Sequence, residues 1–164
     1  MKKTILKIAV FIGGLLILVV AVNFLFSKQI KQTANTIQPV RLKTLDNFYD
    51  FGSLPIKVGK ESYSFKIMNI SQEPVEISKF YTSCRCATAN LIINGENVGE
   101  ADFLGKARSS SVEILLPNQT AVVEVIFDPT IDGPNGVGVR ESFVYLENKD
   151  GAPLRLGVRA LVTL

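Results

Sequence analysis

From residue 40 to the end of the chain, apolar side chains recur at every second position within short segments separated by turn residues, and no stretch there has the period of an amphipathic helix. Such a pattern leaves few folds open. Residues i and i+2 of a strand project to one face, so each strand must pair at its edges and bury one face against a second layer. Val40 and Leu42 alternate with Arg41 and Lys43, followed by Phe48-Tyr49-Asp50-Phe51-Gly52 and by Leu54-Pro55-Ile56, where Pro signals an edge or a bend. Tyr63, Phe65 and Ile67 share a face, with Ser62, Ser64 and Lys66 opposite, and Asn69 to Pro74 supplies turn chemistry. Val75 and Ile77 resume the alternation, and Phe80 or Tyr81 shifts its phase, as at a bulge.

Further along, Leu91-Ile92-Ile93 runs into Asn94-Gly95, the strongest hairpin signal in the chain. Residues 94–111 then read as a long loop or protruding ribbon, a length usually reserved for function. Val112, Ile114 and Leu116 lead to a turn at Pro117-Asn118. Ala121, Val123, Val125 and Phe127 have Val122 and Ile126 opposite them, which predicts a central strand buried on both faces. Val139 to Glu147 and Leu154 to Leu164 form a closing pair around Asn148-Lys149-Asp150-Gly151. The sum is an all-β, antiparallel sandwich of seven to eight short strands over 40–164. About 125 residues suffice for a core without staples.

Ahead of this domain lies a different pattern. Ile8 to Phe26 is a nineteen-residue run broken only by Asn23. As a helix it would span roughly 28 Å, close to the ~30 Å hydrocarbon core. The apolar run continues past Val19-Val20-Ala21, the one stretch resembling a cleavage site, so a membrane anchor is favoured over a cleaved signal sequence. The organisation expected is an anchor over 1–27, a polar tether over 28–39, and the sandwich over 40–164. Seven basic residues and no acid precede Asp46, whereas the remainder has eleven Lys/Arg against fifteen Asp/Glu, a net of −4. Basic charge beside an apolar run, on a chain whose folded part is acidic, argues for the lipid bilayer and against nucleic acid. A short cytoplasmic tail with the domain on the extracytoplasmic side is the orientation expected.

The two cysteines stand one residue apart at the end of a strand, in Tyr81-Thr82-Ser83-Cys84-Arg85-Cys86-Ala87-Thr88. Four readings stay open. They can be small packing residues, or a disulfide. Cα atoms two apart in an extended strand lie near the ~7 Å limit for a bridge, so a bond needs a local bend and would be a candidate redox couple. They can be two ligands for a soft ion such as copper or zinc, with only Met68 able to add sulfur, since the chain has no His. Finally, they can contact a partner protein, with Arg85 favouring the thiolate. Asp128, Asp132 and Asp150 sit beside Pro or Gly and read as turn formers, and Ser109-Ser110-Ser111 has no base. No catalytic set emerges, the chain is not expected to be an enzyme, and no resident cofactor is expected.

Several motifs occur in a known order. Tyr49-Asp50-Phe51-Gly52-Ser53-Leu54 precedes Gly59, Tyr63-Ser64-Phe65, Asn69, Val75-Glu76-Ile77 and the cysteine segment. Over roughly residues 46–130 this resembles the bacterial family catalogued as domain of unknown function 1573. The resemblance implies an immunoglobulin-like module of the Hydin and major-sperm-protein type, usually exported or membrane-anchored, with no activity attached. In this chain Arg85 stands where the family usually has Gly, Ala87 replaces a Thr, and Ser71 replaces a turn Gly. Pro117-Asn118-Gln119 stands for Pro-Gly-Glu, which Asn satisfies by adopting a left-handed conformation. With Arg in the Gly position a bend is disfavoured, and free thiols are expected over a bridge in a reducing preparation. The function expected is a membrane-tethered interaction module that meets a protein through a sheet edge or loop 94–111, the alternative being redox or copper handling at Cys84 and Cys86.

The apolar run sets one outcome: the chain stays with membranes through a carbonate wash. Recovery of a soluble product beginning near Val22 or Asn23 would refute the anchor.

Overall fold

The computed structural model describes residues 14–15, 17–23, 38–103 and 113–164. The chain separates into two units, Met1–Ile37 and Gln38–Leu164. In the first, Gly14, Leu15 and 17–23 are helical, and Asn23 donates from its side chain to the Val19 carbonyl one turn back. Among the described residues no helix is long and apolar enough to cross a membrane; most of the run 8–26 expected as an anchor lies outside them.

Among its described residues the second unit has ten strands in two sheets. They are β1 (Leu42–Thr44), β2 (Phe48–Pro55), β3 (Glu61–Asn69), β4 (Val75–Thr82), β5 (Ala87–Ile93), β6 (Glu96–Ala101), β7 (Glu113–Leu115), β8 (Thr120–Phe127), β9 (Gly138–Asn148) and β10 (Leu154–Thr163). One sheet has the order β1-β3-β8-β5-β6 and the other β2-β10-β9-β4-β7. In the strand lettering of immunoglobulin constant domains, β1-β3-β8-β5 is A-B-E-D and β4-β9-β10 is C-F-G. The first strand is shared: β1 pairs with β3, then after three residues β2 changes sheet and lies parallel to β10. The remaining pairings are antiparallel.

The expectation of seven to eight antiparallel strands is therefore corrected to ten with one parallel pair. The extra strands come from the sheet change and from the first part of 94–111, where the ribbon is present of the two alternatives, loop or ribbon. Asn94 and Gly95 both have positive φ, 53° and 86°, which is the two-residue turn that suits strand twist. It folds β6 back onto β5, so the first part of 94–111 is an edge strand rather than loop, and 104–112 lies outside the described residues. At β7 the burial phase is the reverse of the apolar spacing: Leu115 is 0% exposed, while Ile114 and Leu116 are 53% and 57% exposed. Register decides this, since Leu115 stands opposite the buried Val75 of β4.

The core is the space between the two inner faces. Phe65, Ile67, Val123, Val125 and Phe127 meet Val144, Leu146, Leu156 and Val158, all essentially inaccessible. The phase shift near Phe80 is real, with a register shift between Ile77 and Lys79. Strand β8 is central, but it is not buried on both faces: Val122, Glu124 and Ile126 are half-buried beside polar neighbours on the outer face. Leu164, in phase with the inner residues of β10, falls beyond the strand and is 79% exposed.

Asn118, with φ 61°, takes the left-handed place expected of it. Buried Asn69 spends its whole carboxamide: Nδ2 donates to the Glu73 and Leu115 carbonyls, and Oδ1 accepts from the Ser71 amide and hydroxyl. Ser in place of the turn Gly thus adds a bond.

One-sided burial of β8 makes a sharp prediction. Val125→Asp destabilises unit 38–164 by more than about 4 kcal/mol, because an unpaired charge is forced into the core. Val122→Asp costs about 1 kcal/mol or less, since it faces Lys66 outside. Chemical denaturation of both variants checks this, and equal losses would contradict the assignment.

Candidate functional site

Two features of the sandwich hold chemistry, and they adjoin. The first is the four-residue crossover Ser83–Cys86 that carries the chain from β4 in one sheet to β5 in the other. Its anchors are hydrogen bonds. The buried Thr82 hydroxyl bonds the Cys84 and Ala87 carbonyls, and the Thr82 amide donates to the Asp102 carbonyl. The Ser83 amide donates to the Phe143 carbonyl while the Ser83 hydroxyl accepts from the Phe143 amide, and the Asp128 amide donates to the Cys86 carbonyl.

Within this frame Cys84 and Cys86 are joined by a disulfide, with Cα atoms 5.1 Å apart. Of the four readings the disulfide is the one present, reached through the local bend that it requires and that Arg85 in the Gly position was expected to disfavour. The chain turns at Arg85-Cys86, and Arg85 is not among the residues with positive φ, so the turn asks for no glycine. Arg85 points outward with its guanidinium 3.8 Å from the Asp132 carboxylate. The two sulfurs differ in setting. Cys86 is 3% exposed within the core, whereas Cys84 is half-buried at its margin and its Sγ lies 3.0 Å from the Cys86 amide nitrogen. A bridge over so short a loop restrains the unfolded chain little: the chain-entropy relation gives about 1.6 kcal/mol, against ~3 for a fifteen-residue loop.

The soft-metal reading loses its ligands in this state, because both sulfurs are consumed by the bond. Met68 cannot join them. The register runs Ala87–Phe127–Glu61 across the sheet, so Met68 lies at the other end of β3, roughly 23 Å away at ~3.3 Å per residue. Among the described residues no cluster of three or more His, Cys, Asp or Glu could hold an ion. Asp128 folds its own turn by accepting from the Thr130 amide, as its position beside Pro129 implied.

The second feature was not read from the sequence. On the outer face of the sheet β2-β10-β9-β4, side chains line up in rungs. Tyr81, Tyr145 and Arg155 form one, and Phe143, Gly157 and Phe48 the next. Glu141, Arg159 and Asp50 follow, then Val139, Leu161 and Ser53. Tyr81 and Tyr145 stack with centroids 5.1 Å apart, and the Arg155 guanidinium lies 3.5 Å over the Phe143 ring. Gly157 makes the second rung possible: a Cβ there would stand 2.6 Å from the Phe48 ring and 3.0 Å from that of Phe143.

Charges at the margins are paired. Glu147 accepts from the Tyr81 hydroxyl at 2.9 Å and meets Lys79 at 2.9 Å, while Arg159 binds Asp50. The Lys79 bond, then that of Tyr81, holds the Glu147 carboxyl below its usual range, and the same carboxylate pushes the Tyr81 hydroxyl up. Arg159 likewise lowers the Asp50 carboxyl. These contacts are present at neutral pH and fade only as acid protonates the carboxylates below their normal range. Phe48, Arg155, Arg159, Val139 and Leu161 remain exposed. The other sheet's outer face is plainer, with rungs such as Ser64, Glu124 and Asn90. A signal for the richer face existed: Phe143-Val144-Tyr145-Leu146 is apolar at both parities, so a strand with one buried face must show aromatics to solvent.

Among solved structures, a protein of unknown function from Porphyromonas gingivalis W83 is similar with a TM-score of 0.54 and 14% identity, over 79% of this chain and 50% of that one. The chain thus spans half the length of that protein, and the likeness concerns the fold. The ASH/PapD-like domain of human CEP192 has a TM-score of 0.43 at 12% identity, over 76% of this chain and 87% of that one. The periplasmic chaperone SfaE has 0.41 at 6% identity, over 75% and 60%. No family model and no curated protein matches the chain.

Gly157→Ala is expected to lose about 1–3 kcal/mol through overpacking against the two rings. Adding Phe48→Ala should recover part of that loss, because it removes the closer ring. A thermal melt of the single and double variants checks the coupling, and strict additivity would count against a shared contact.

Proposed function

We propose that this chain is a non-catalytic interaction module: an immunoglobulin-like sandwich, tethered to a membrane by residues 8–26 through the tether 28–39, that docks a protein on the outer face of β2-β10-β9-β4. The observation that carries this reading is the composition of that face. Aromatic rings and arginines are the residue types enriched at protein interfaces, and here they lie in adjoining rungs on a rigid sheet. Arg155 stacked on Phe143 offers a guanidinium beside an apolar ring, which suits a partner with a carboxylate next to an apolar side chain. Strand β2 is the edge that borders this face, so a partner seated here also meets a sheet edge.

Placement of the domain on the extracytoplasmic side is supported by the Cys84–Cys86 bond, since disulfides persist in oxidising compartments. The resemblance to the domain of unknown function 1573 family supports an exported or anchored module of the same kind.

The test is site-specific photo-crosslinking of the full chain in its native membranes. A photoreactive residue at 145 or 161 gives a discrete adduct, one at 64 or 90 gives none, and Arg155→Glu abolishes the adduct at 145. Equal labelling from both faces, or none from either, overturns the reading.

A further inference from the structure

We infer that the Cys84–Cys86 bond is a thiol–disulfide exchange site, reduced through Cys84 by a dithiol of a partner protein while the sandwich stays folded. This rests on the crossover alone and not on the docking face.

Three observations carry it. The sulfurs are unequal: Cys86 is sealed in the core and Cys84 lies at the margin, so an incoming thiolate reaches only Cys84. The Cys86 amide lies 3.0 Å from the Cys84 sulfur, so a donor is already in place for the thiolate that reduction creates there. The crossover is held by bonds that do not use sulfur, from Thr82, Ser83, Asp128 and Phe143, so opening the bridge leaves both strand ends in register. A disulfide kept only as a staple would be expected to close a longer loop.

The exchange balances as two displacements. The partner's first thiolate attacks the Cys84 sulfur, the Cys84–Cys86 bond breaks, and its electron pair leaves on Cys86, which takes up a proton. The partner's second thiolate then attacks its own sulfur in the mixed disulfide, and Cys84 leaves as a thiolate facing the Cys86 amide. Two electrons pass to this chain, one proton of the partner's dithiol ends on Cys86 and the other in solvent while Cys84 is a thiolate, and the partner is left with a disulfide. A disulfide-bearing partner or oxidant reverses the sequence.

The experiment uses the full chain in detergent, with dithiothreitol as the dithiol. Without denaturant, dithiothreitol should open the bridge, shown by two added alkyl groups in the mass spectrum, while the β-sheet circular dichroism is unchanged. Glutathione disulfide should restore it. Cys86→Ser should react with Ellman's reagent roughly tenfold or more faster than Cys84→Ser, because only Cys84 is accessible. If either variant fails to fold, the reduced wild-type chain is treated with substoichiometric N-ethylmaleimide, and peptide masses should place the first label on Cys84. A bond that opens only with denaturant, or first labelling at Cys86, overturns the inference. The double variant Cys84→Ser/Cys86→Ser should keep the photo-adduct at 145, so this proposal and the docking face fail separately.

Discussion

Two apolar sheet faces can be removed from water only against each other, and that requirement sends the chain back and forth between layers. Among the described strands, seven of the nine steps from one to the next change sheet. Each crossing draws backbone polar groups toward an interior where an unmet hydrogen bond costs more than a typical one contributes. The structure meets this with short polar side chains at the crossings. Asn69 satisfies all four of its carboxamide positions where β3 turns toward β4, and Thr82 bonds two carbonyls where β4 hands over to β5. These residues sit inside for the sake of the crossings, and the apolar core closes around them.

The same economy explains where chemistry can occur. A crossover pinned at Thr82, Ser83 and Ala87 has no need of a covalent staple, yet a disulfide lies within it. Its surroundings are asymmetric because the chain crosses between the sheets at the margin of the core. Cys84 is left at the margin and Cys86 enters the core. The aromatic rungs begin immediately beside it, through the paired bonds between Ser83 and Phe143. A protein seated on that face would therefore lie next to the half-buried sulfur.

Strand periodicity made much of the fold legible. The Tyr63–Ile67 alternation, the Asn94-Gly95 turn, the phase slip near Phe80 and the pairing of the last two strands all follow from local rules, and all are present. The strand count was less accessible. Whether Leu42–Thr44 and Phe48–Pro55 belong to one sheet or two depends on partners far along the chain, β3 and β10. The burial phase of Glu113–Leu115 likewise depends on Val75, not on its own apolar spacing.

What the sequence determined by itself was the class of fold, the nearness of the two cysteines, the left-handed turn at Asn118 and the separate character of the N-terminal run. These are properties of neighbouring residues, set by sterics and by the period of two. Tertiary structure decided the rest. Whether Cys84 and Cys86 bond depends on a turn that the crossing between sheets imposes, and which sulfur faces outward depends on the core beneath it. The aromatic face exists only once β2, β10, β9 and β4 stand side by side, because its rungs join Phe48, Phe143 and Gly157 from three distant segments. No local rule brings those residues together; pairing register does.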